Sequence, residues 1–198
     1  IHYYFCPKHI MKKPNPVLIL GLVATIAVAI FITLSGGKHK KYSQRAFWKD
    51  AAVADVHAMP DVVFRRGNHN GPVLMWAATT TPNPEVISAL VDRGADINEA
   101  DAVAKGTPLS AAAGYNQNPE IIDRLVQRGA EIDKVVGSNN KTPLIIAAEI
   151  NPNPLIVEAL IKNGASLTYQ DKMGLTALRS AKLMGSPTVV EVLERYSK

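Results

Sequence analysis

Gly94-Ala95-Asp96-Ile97-Asn98, Gly129-Ala130-Glu131-Ile132-Asp133 and Gly164-Ala165-Ser166-Leu167-Thr168 return at intervals of 35 residues. A fixed period of that size marks a chain built by stacking copies of one small unit. Other landmarks keep step with it. Gly106-Thr107-Pro108-Leu109 and Lys141-Thr142-Pro143-Leu144 are again 35 residues apart, and weaker copies flank them at Gly71-Pro72-Val73-Leu74 and Gly174-Leu175-Thr176-Ala177-Leu178.

Each unit reads as two short helices. Thr107-Pro108 and Thr142-Pro143 open the first, because proline in the first turn forfeits no hydrogen bond and arrives with its φ preset. Ala77-Ala78, Ala111-Ala112-Ala113 and Ala147-Ala148 keep that inner helix thin, so that neighbouring units can approach closely. The second, outer helix starts at Asn83-Pro84-Glu85, Asn118-Pro119-Glu120 and Asn153-Pro154-Leu155, with asparagine capping free amides and glutamate favouring the positive end of the dipole. Val86-Ile87-Leu90-Val91, Ile121-Ile122-Leu125-Val126 and Ile156-Val157-Leu160-Ile161 then form one wide apolar stripe. Gly94, Gly129 and Gly164 stand where the helix must end in a left-handed residue.

This pattern resembles the ankyrin repeat, with its Thr-Pro-Leu start, Ala-Ala inner helix, apolar outer helix and Gly-Ala-Asp-x-Asn exit, over roughly Phe47 to Tyr196. The resemblance implies an all-α fold, an ankyrin-repeat solenoid of helix-turn-helix units joined by hairpin loops, and we expect one hydrophobic helix ahead of it. We expect residues 1–10 to be an upstream extension, 11–41 a signal-anchor segment with linker, and 42–198 the repeat domain, with units near 43–70, 71–105, 106–140, 141–173 and 174–198. The unit exceeds the usual length of about 33 residues by two. One extra residue falls in the turn between the helices (Thr81-Pro82, Gln117) and one in the hairpin, where added length costs little. The family's histidine after Thr-Pro-Leu is replaced by Met75, Ser110, Ile145 and Arg179, so its hydrogen bonds do not carry over. Gln44 to Asp50 and Asp55 to Met59, with Gly67 at the exit, resemble the truncated first unit of bacterial members, and Glu191, Glu194, Arg195 and Lys198 give the last outer helix a charged face suited to a terminal repeat. There Ser186-Pro187 takes the place of Asn-Pro.

Ahead of the repeats, Val17 to Leu34 is an 18-residue stretch without a charge, about 27 Å long as a helix and close to the thickness of a bilayer core. Met11-Lys12-Lys13 before it resembles the start of a signal or anchor. Two readings stay open: an uncleaved anchor, which the length favours, and a cleaved signal peptide ending near Thr33 to Gly37. The first predicts a single-pass protein of a bacterial inner membrane, the second a periplasmic or secreted one. Orientation cues conflict, since more lysines follow the segment than precede it while a short lysine-led N-terminus sends the rest of the chain out; we expect the repeats outside.

Charge and chemistry narrow the function. All six lysines up to Lys41 lie beside the apolar run with no acid among them, leaving 16 basic against 17 acidic side chains in the remainder; the high pI thus belongs to membrane topology, and nucleic acid is not an expected partner. Cys6, the only cysteine, excludes an intramolecular disulfide. His2, His9, His39, His57 and His69 have no metal-ligand spacing, and no Gly-x-Ser-x-Gly elbow or phosphate loop occurs. Asp92, Asp96, Asp101, Asp123 and Asp133 recur at repeat positions, as solvated loop and helix faces do. Asn140-Lys141-Thr142 spells a glycosylation acceptor that matters only in a eukaryotic secretory setting. We therefore expect a monomeric, non-catalytic module without cofactor or metal, which binds another protein and meets the membrane through residues 17–34.

In ankyrin stacks partners meet the hairpin tips and the exposed inner-helix face, where units differ from one another. The resemblance thus implies Trp76, Thr79, Thr80, Tyr115, Asn116, Ile146, Glu149 and Ile150, with tips at Glu99 to Lys105, Val135 to Lys141 and Gln170 to Met173. Aromatic residues dominate interface hot spots, which singles out Trp76 and Tyr115. Trp76 is equally able to fill space beside the irregular first unit.

Overall fold

The computed structural model describes residue 42 and residues 44–64, 73–101, 105–184 and 186–198. The extension, the apolar stretch 17–34 and Gly67 lie outside the described residues. No helix among the described residues is long and apolar enough to cross a membrane.

Ten α-helices alternate along the described chain: α1 (Arg45–Asp50), α2 (Val53–His57), α3 (Val73–Thr80), α4 (Pro84–Asp92), α5 (Pro108–Tyr115), α6 (Pro119–Gln127), α7 (Pro143–Ile150), α8 (Pro154–Lys162), α9 (Ala177–Met184) and α10 (Pro187–Tyr196), with a 3-10 turn at Asp61–Phe64. Odd-numbered helices pack in sequence as an inner layer and even-numbered ones as an outer layer, each inner helix from α3 onward also touching its own outer partner. The only strand-like pairing among the described residues is the antiparallel bridge of Val136 with Lys141, closing the hairpin before α7.

Local chemistry sets each helix. Asn83, Asn118 and Asn153 accept from the amides of Glu85, Glu120 and Leu155 at 2.9 to 3.1 Å, and proline follows each cap. Gly94, Gly129 and Gly164 have φ of +91°, +95° and +91°. At each of these ends the glycine amide donates three residues back while the following alanine amide donates five residues back, to Leu90, Leu125 and Leu160, so a Schellman motif closes every outer helix of the middle units.

Between the layers Val86, Ile87, Leu90, Ile121, Ile122, Leu125, Ile156, Val157 and Leu160 are fully buried. Ala77, Ala78, Ala112, Ala113, Ala147 and Ala148 are equally buried, which is why nothing larger is tolerated between inner helices. In the last unit Lys182 takes the place of Ala148. With no further unit to cover it, it is exposed and bonds Glu194 at 2.7 Å. Ser186 makes no side-chain cap to the backbone; its hydroxyl meets Thr188 instead.

At the other end Trp48 is fully buried, with its indole N–H donated to the Tyr42 carbonyl. Arg93 ties the short first unit to the stack, donating to the carbonyls of Val56, His57 and Met59 and to the Asp61 carboxylate.

The enlarged turn between helices does more than the sequence suggests. Asn116 donates to the carbonyls of Ala78 and Thr81 in the preceding unit, at 2.8 and 3.0 Å, and its Oδ1 accepts from the Asn118 amide. Asn151 repeats this one unit later, donating to Ala113 and Asn116 at 2.9 Å and accepting from Asn153. Outside this ladder runs a second, in which Asn118 and Asn153 donate to the carbonyls of Pro82 and Gln117. The added turn residue is therefore not mere slack. It brings hydrogen bonds between units into a stack that lacks the usual histidine.

Candidate functional site

The exposed edge of the inner layer carries a hollow of about 390 Å³. Its origin is a size difference between equivalent positions, since α3 and α7 present Trp76 and Ile146 where α5 presents Ala111. The missing bulk leaves a floor between two walls. Met75, Tyr115 and Ile150 complete the apolar lining, the hairpin from Val136 to Asn139 rims one side, and among the described residues Arg45 and Lys141 are the only charged ones on it. Gly114 helps to shape the wall, because a Cβ there would stand 3.0 Å from the Ile150 side chain and 3.2 Å from that of Ile146.

A second hollow of about 680 Å³ adjoins the first, sharing Arg45, Thr79 and Tyr115 and adding Lys49, Pro82 and Gln117. Where the two meet, the Arg45 guanidinium lies 5.0 Å from the centre of the Tyr115 ring, a cation–π contact. Tyr115 is 53% exposed and Ile150 50%. Met184, at the equivalent end of α9, is 60% exposed, so one apolar row continues along successive inner helices.

Of the eight residues singled out from the sequence, four line the first hollow with open faces: Trp76, Tyr115, Ile146 and Ile150. Trp76 packs on the core and also lines the hollow. The other four are less open than the exposed inner face expected of them. Asn116 is 4% exposed and its polar atoms are engaged in the ladder. Thr79 is buried, its hydroxyl donated to the Trp76 carbonyl at 2.6 Å; only its flank reaches the hollow. Thr80 is half-buried and its hydroxyl lies between the Trp76 and Arg45 carbonyls. The Glu149 side chain is 7% exposed and bonds Lys141 at 2.5 Å, a pairing whose loss would strand a buried charge.

Arg45, Lys49 and Met75 belong to the site and were not read as such from the sequence. Of the tips, Lys105 is exposed with φ of +56°, residues 102–104 lie outside the described residues, and Met173 is 69% exposed.

The recurrent aspartates are used internally. Asp92 bonds Arg128, Asp123 bonds Asn163, Asp133 accepts from the Ser166 amide, and Asp96 accepts from the Asn98 amide two residues on. Among the described residues no group of histidine, cysteine, aspartate or glutamate is arranged to hold a metal ion.

A solenoid of alanine-faced helix pairs with glycine-closed outer helices and hairpin loops defines a class of stacked-repeat proteins. The family pattern described as Ankyrin repeats (3 copies) matches residues 74–171 and again 109–197, more than half of the chain, and the chain belongs to the ankyrin-repeat family. Ankyrin repeats act as protein–protein interaction scaffolds and are typically non-catalytic. No curated protein matches the chain.

Proposed function

We propose that this chain is a non-catalytic binding module whose inner-helix groove grips a partner protein and whose residues 17–34 tether it to a membrane. The observation that carries the binding reading is the apolar groove itself. Tyr115 and Ile150 stay half exposed beside a hollow floored by Ala111, and desolvating aromatic and aliphatic anchors in a pocket is the main source of interface energy. The tether rests on the 18 uncharged residues flanked by lysines, which as a helix satisfy every backbone polar group within the bilayer.

Two experiments test this. Crosslinking in cells followed by affinity capture compares the wild-type chain with Ile146→Glu and, as a control on the outer layer, Gln127→Ala. A partner held by the groove disappears with the first substitution and survives the second, and a protein retained by both is not held there. For the tether, the chain stays in the membrane fraction through high salt and alkaline carbonate, while replacing Ala24 and Ala27 with lysine, at about 2.5 to 3.5 kcal/mol per charge, releases it. Recovery of a soluble wild-type protein shortened to near Gly37 replaces the tethered module with a periplasmic or secreted factor.

A further inference from the structure

The two adjoining hollows have a charge pattern that says something about the occupant. Three charged side chains line them, Arg45, Lys49 and Lys141, and no acid does so among the described residues. Lys141 is neutralised by Glu149 from beneath. Arg45 and Lys49 are exposed and neither is in an ion pair among the described residues; the Arg45 guanidinium stands over the Tyr115 face. On the outer layer Glu85, Asp92 and Asp123 are bound by Arg124, Arg128 and Asn163, and Asp50, next to Lys49 in α1, is exposed and lines neither hollow. The groove thus joins an apolar hollow to two cations that no acid pairs among the described residues, across the Arg45–Tyr115 stack.

We infer that the occupant is an acidic-apolar protein segment, with a large apolar side chain seated on Ala111 between Trp76 and Ile146 and one or two carboxylates of the same segment over Arg45 and Lys49. The inference deepens the groove-binding reading and rests on it. A carboxylate placed there gains a bidentate partner in the guanidinium, and a basic segment meets like charge with no acid to offset it. Two cations beside an apolar floor are too few to track a phosphate backbone, which needs a row of them.

The test uses the full chain in a mild non-ionic detergent. Random dodecapeptides displayed on phage are selected against it, and the commonest are synthesised and measured by fluorescence anisotropy. Enriched peptides are expected to carry Asp or Glu within a few positions of an aromatic or large aliphatic residue. Their affinity should fall about tenfold in the Arg45→Ala, Lys49→Ala double variant, and by a similar factor between about 50 and about 300 mM salt. The salt series needs no variant, so the inference remains testable if the double variant misfolds. Neutral or basic peptides, or acidic ones indifferent to both salt and the double variant, overturn it. Peptides lost with Ile146→Glu yet indifferent to Arg45 and Lys49 leave the groove as the binding face and reject the acidic partner. Peptides indifferent to every groove substitution, or no enrichment, reject both.

Discussion

Asn151 offers the sharpest test of what holds neighbouring units in register. Its side chain is 2% exposed and makes three short hydrogen bonds, to the carbonyls of Ala113 and Asn116 at 2.9 Å each and from the Asn153 amide at 3.0 Å, besides a longer one from Gln117 Nε2 at 3.4 Å. At about 0.5 to 1.5 kcal/mol net for each bond, Asn151→Ala should cost about 1.5 to 4.5 kcal/mol, toward the upper part because the deserted groups are buried. Urea unfolding followed by far-UV circular dichroism reads this as a midpoint lowered by about 1 to 2 M, given a slope of about 2 kcal/mol per molar. Asn151→Asp separates the donor pair from mere packing. It keeps the shape and the acceptor but turns a carboxylate toward two carbonyl oxygens, so at neutral pH it should be less stable than Asn151→Ala. Burial and those carbonyls favour the protonated form, which can again donate, so the deficit should shrink as pH falls from about 7 toward about 4. If Asn151→Ala stays within about 0.5 kcal/mol of wild type, or Asn151→Asp shows no recovery in acid, the ladder does not hold the units together.

Leu125 is fully buried between layers, and Leu125→Ala should cost about 2 to 5 kcal/mol, against under about 0.5 for Gln127→Ala on the exposed side of the same helix; equal urea midpoints would refute the layer assignment. The Glu158 carboxyl is held below its usual range, first by the hydrogen bond from Lys162 and then by that from the Tyr196 hydroxyl. A lowered folded value means stability that is present above the ordinary carboxylate range and lost as pH falls through the folded value. The urea midpoint of Glu158→Gln should therefore lie furthest below wild type at neutral pH and converge with it in acid, and a gap independent of pH would count against the bonds to Lys162 and Tyr196.

The repeat was legible because its signals are local. A cap, a proline, an apolar stripe and a closing glycine each specify one helix boundary without reference to the rest of the chain, and the 35-residue return multiplies each signal. Asn153, Pro154 and Gly164 state where α8 begins and ends. Contacts between units are not local in this sense. Asn116 reads as a polar turn residue, and polarity alone does not say whether water or the preceding unit takes its hydrogen bonds. The usable signal was its recurrence as Asn151, with Asn118 and Asn153 two residues beyond: a polar residue repeated in phase with buried neighbours serves the stack. Glu149 misled for the opposite reason. Its equivalents are Thr79, Gly114 and Leu183, and such variation reads as a partner-facing position, yet the hairpin turns Lys141 back to meet it.

The groove escaped the sequence because its defining feature is an absence. Residue-by-residue reading looks for side chains able to make contacts, and so finds Trp76, Tyr115, Ile146 and Ile150 while passing over Ala111, which looks like one more small residue in an alanine-rich helix. Ala112 and Ala113 are small so that helices can touch. Ala111 is half-buried where Ala112 and Ala113 are buried, on the side that lines the hollow, and that is what leaves room for a guest. Ala111→Ile would equalise the three positions and fill the hollow from its floor, leaving Arg45, Lys49 and Tyr115 in place. A guest that needs both the hollow and the cations should then lose its apolar anchor while its salt dependence persists, whereas a guest held by charge alone should not notice the change.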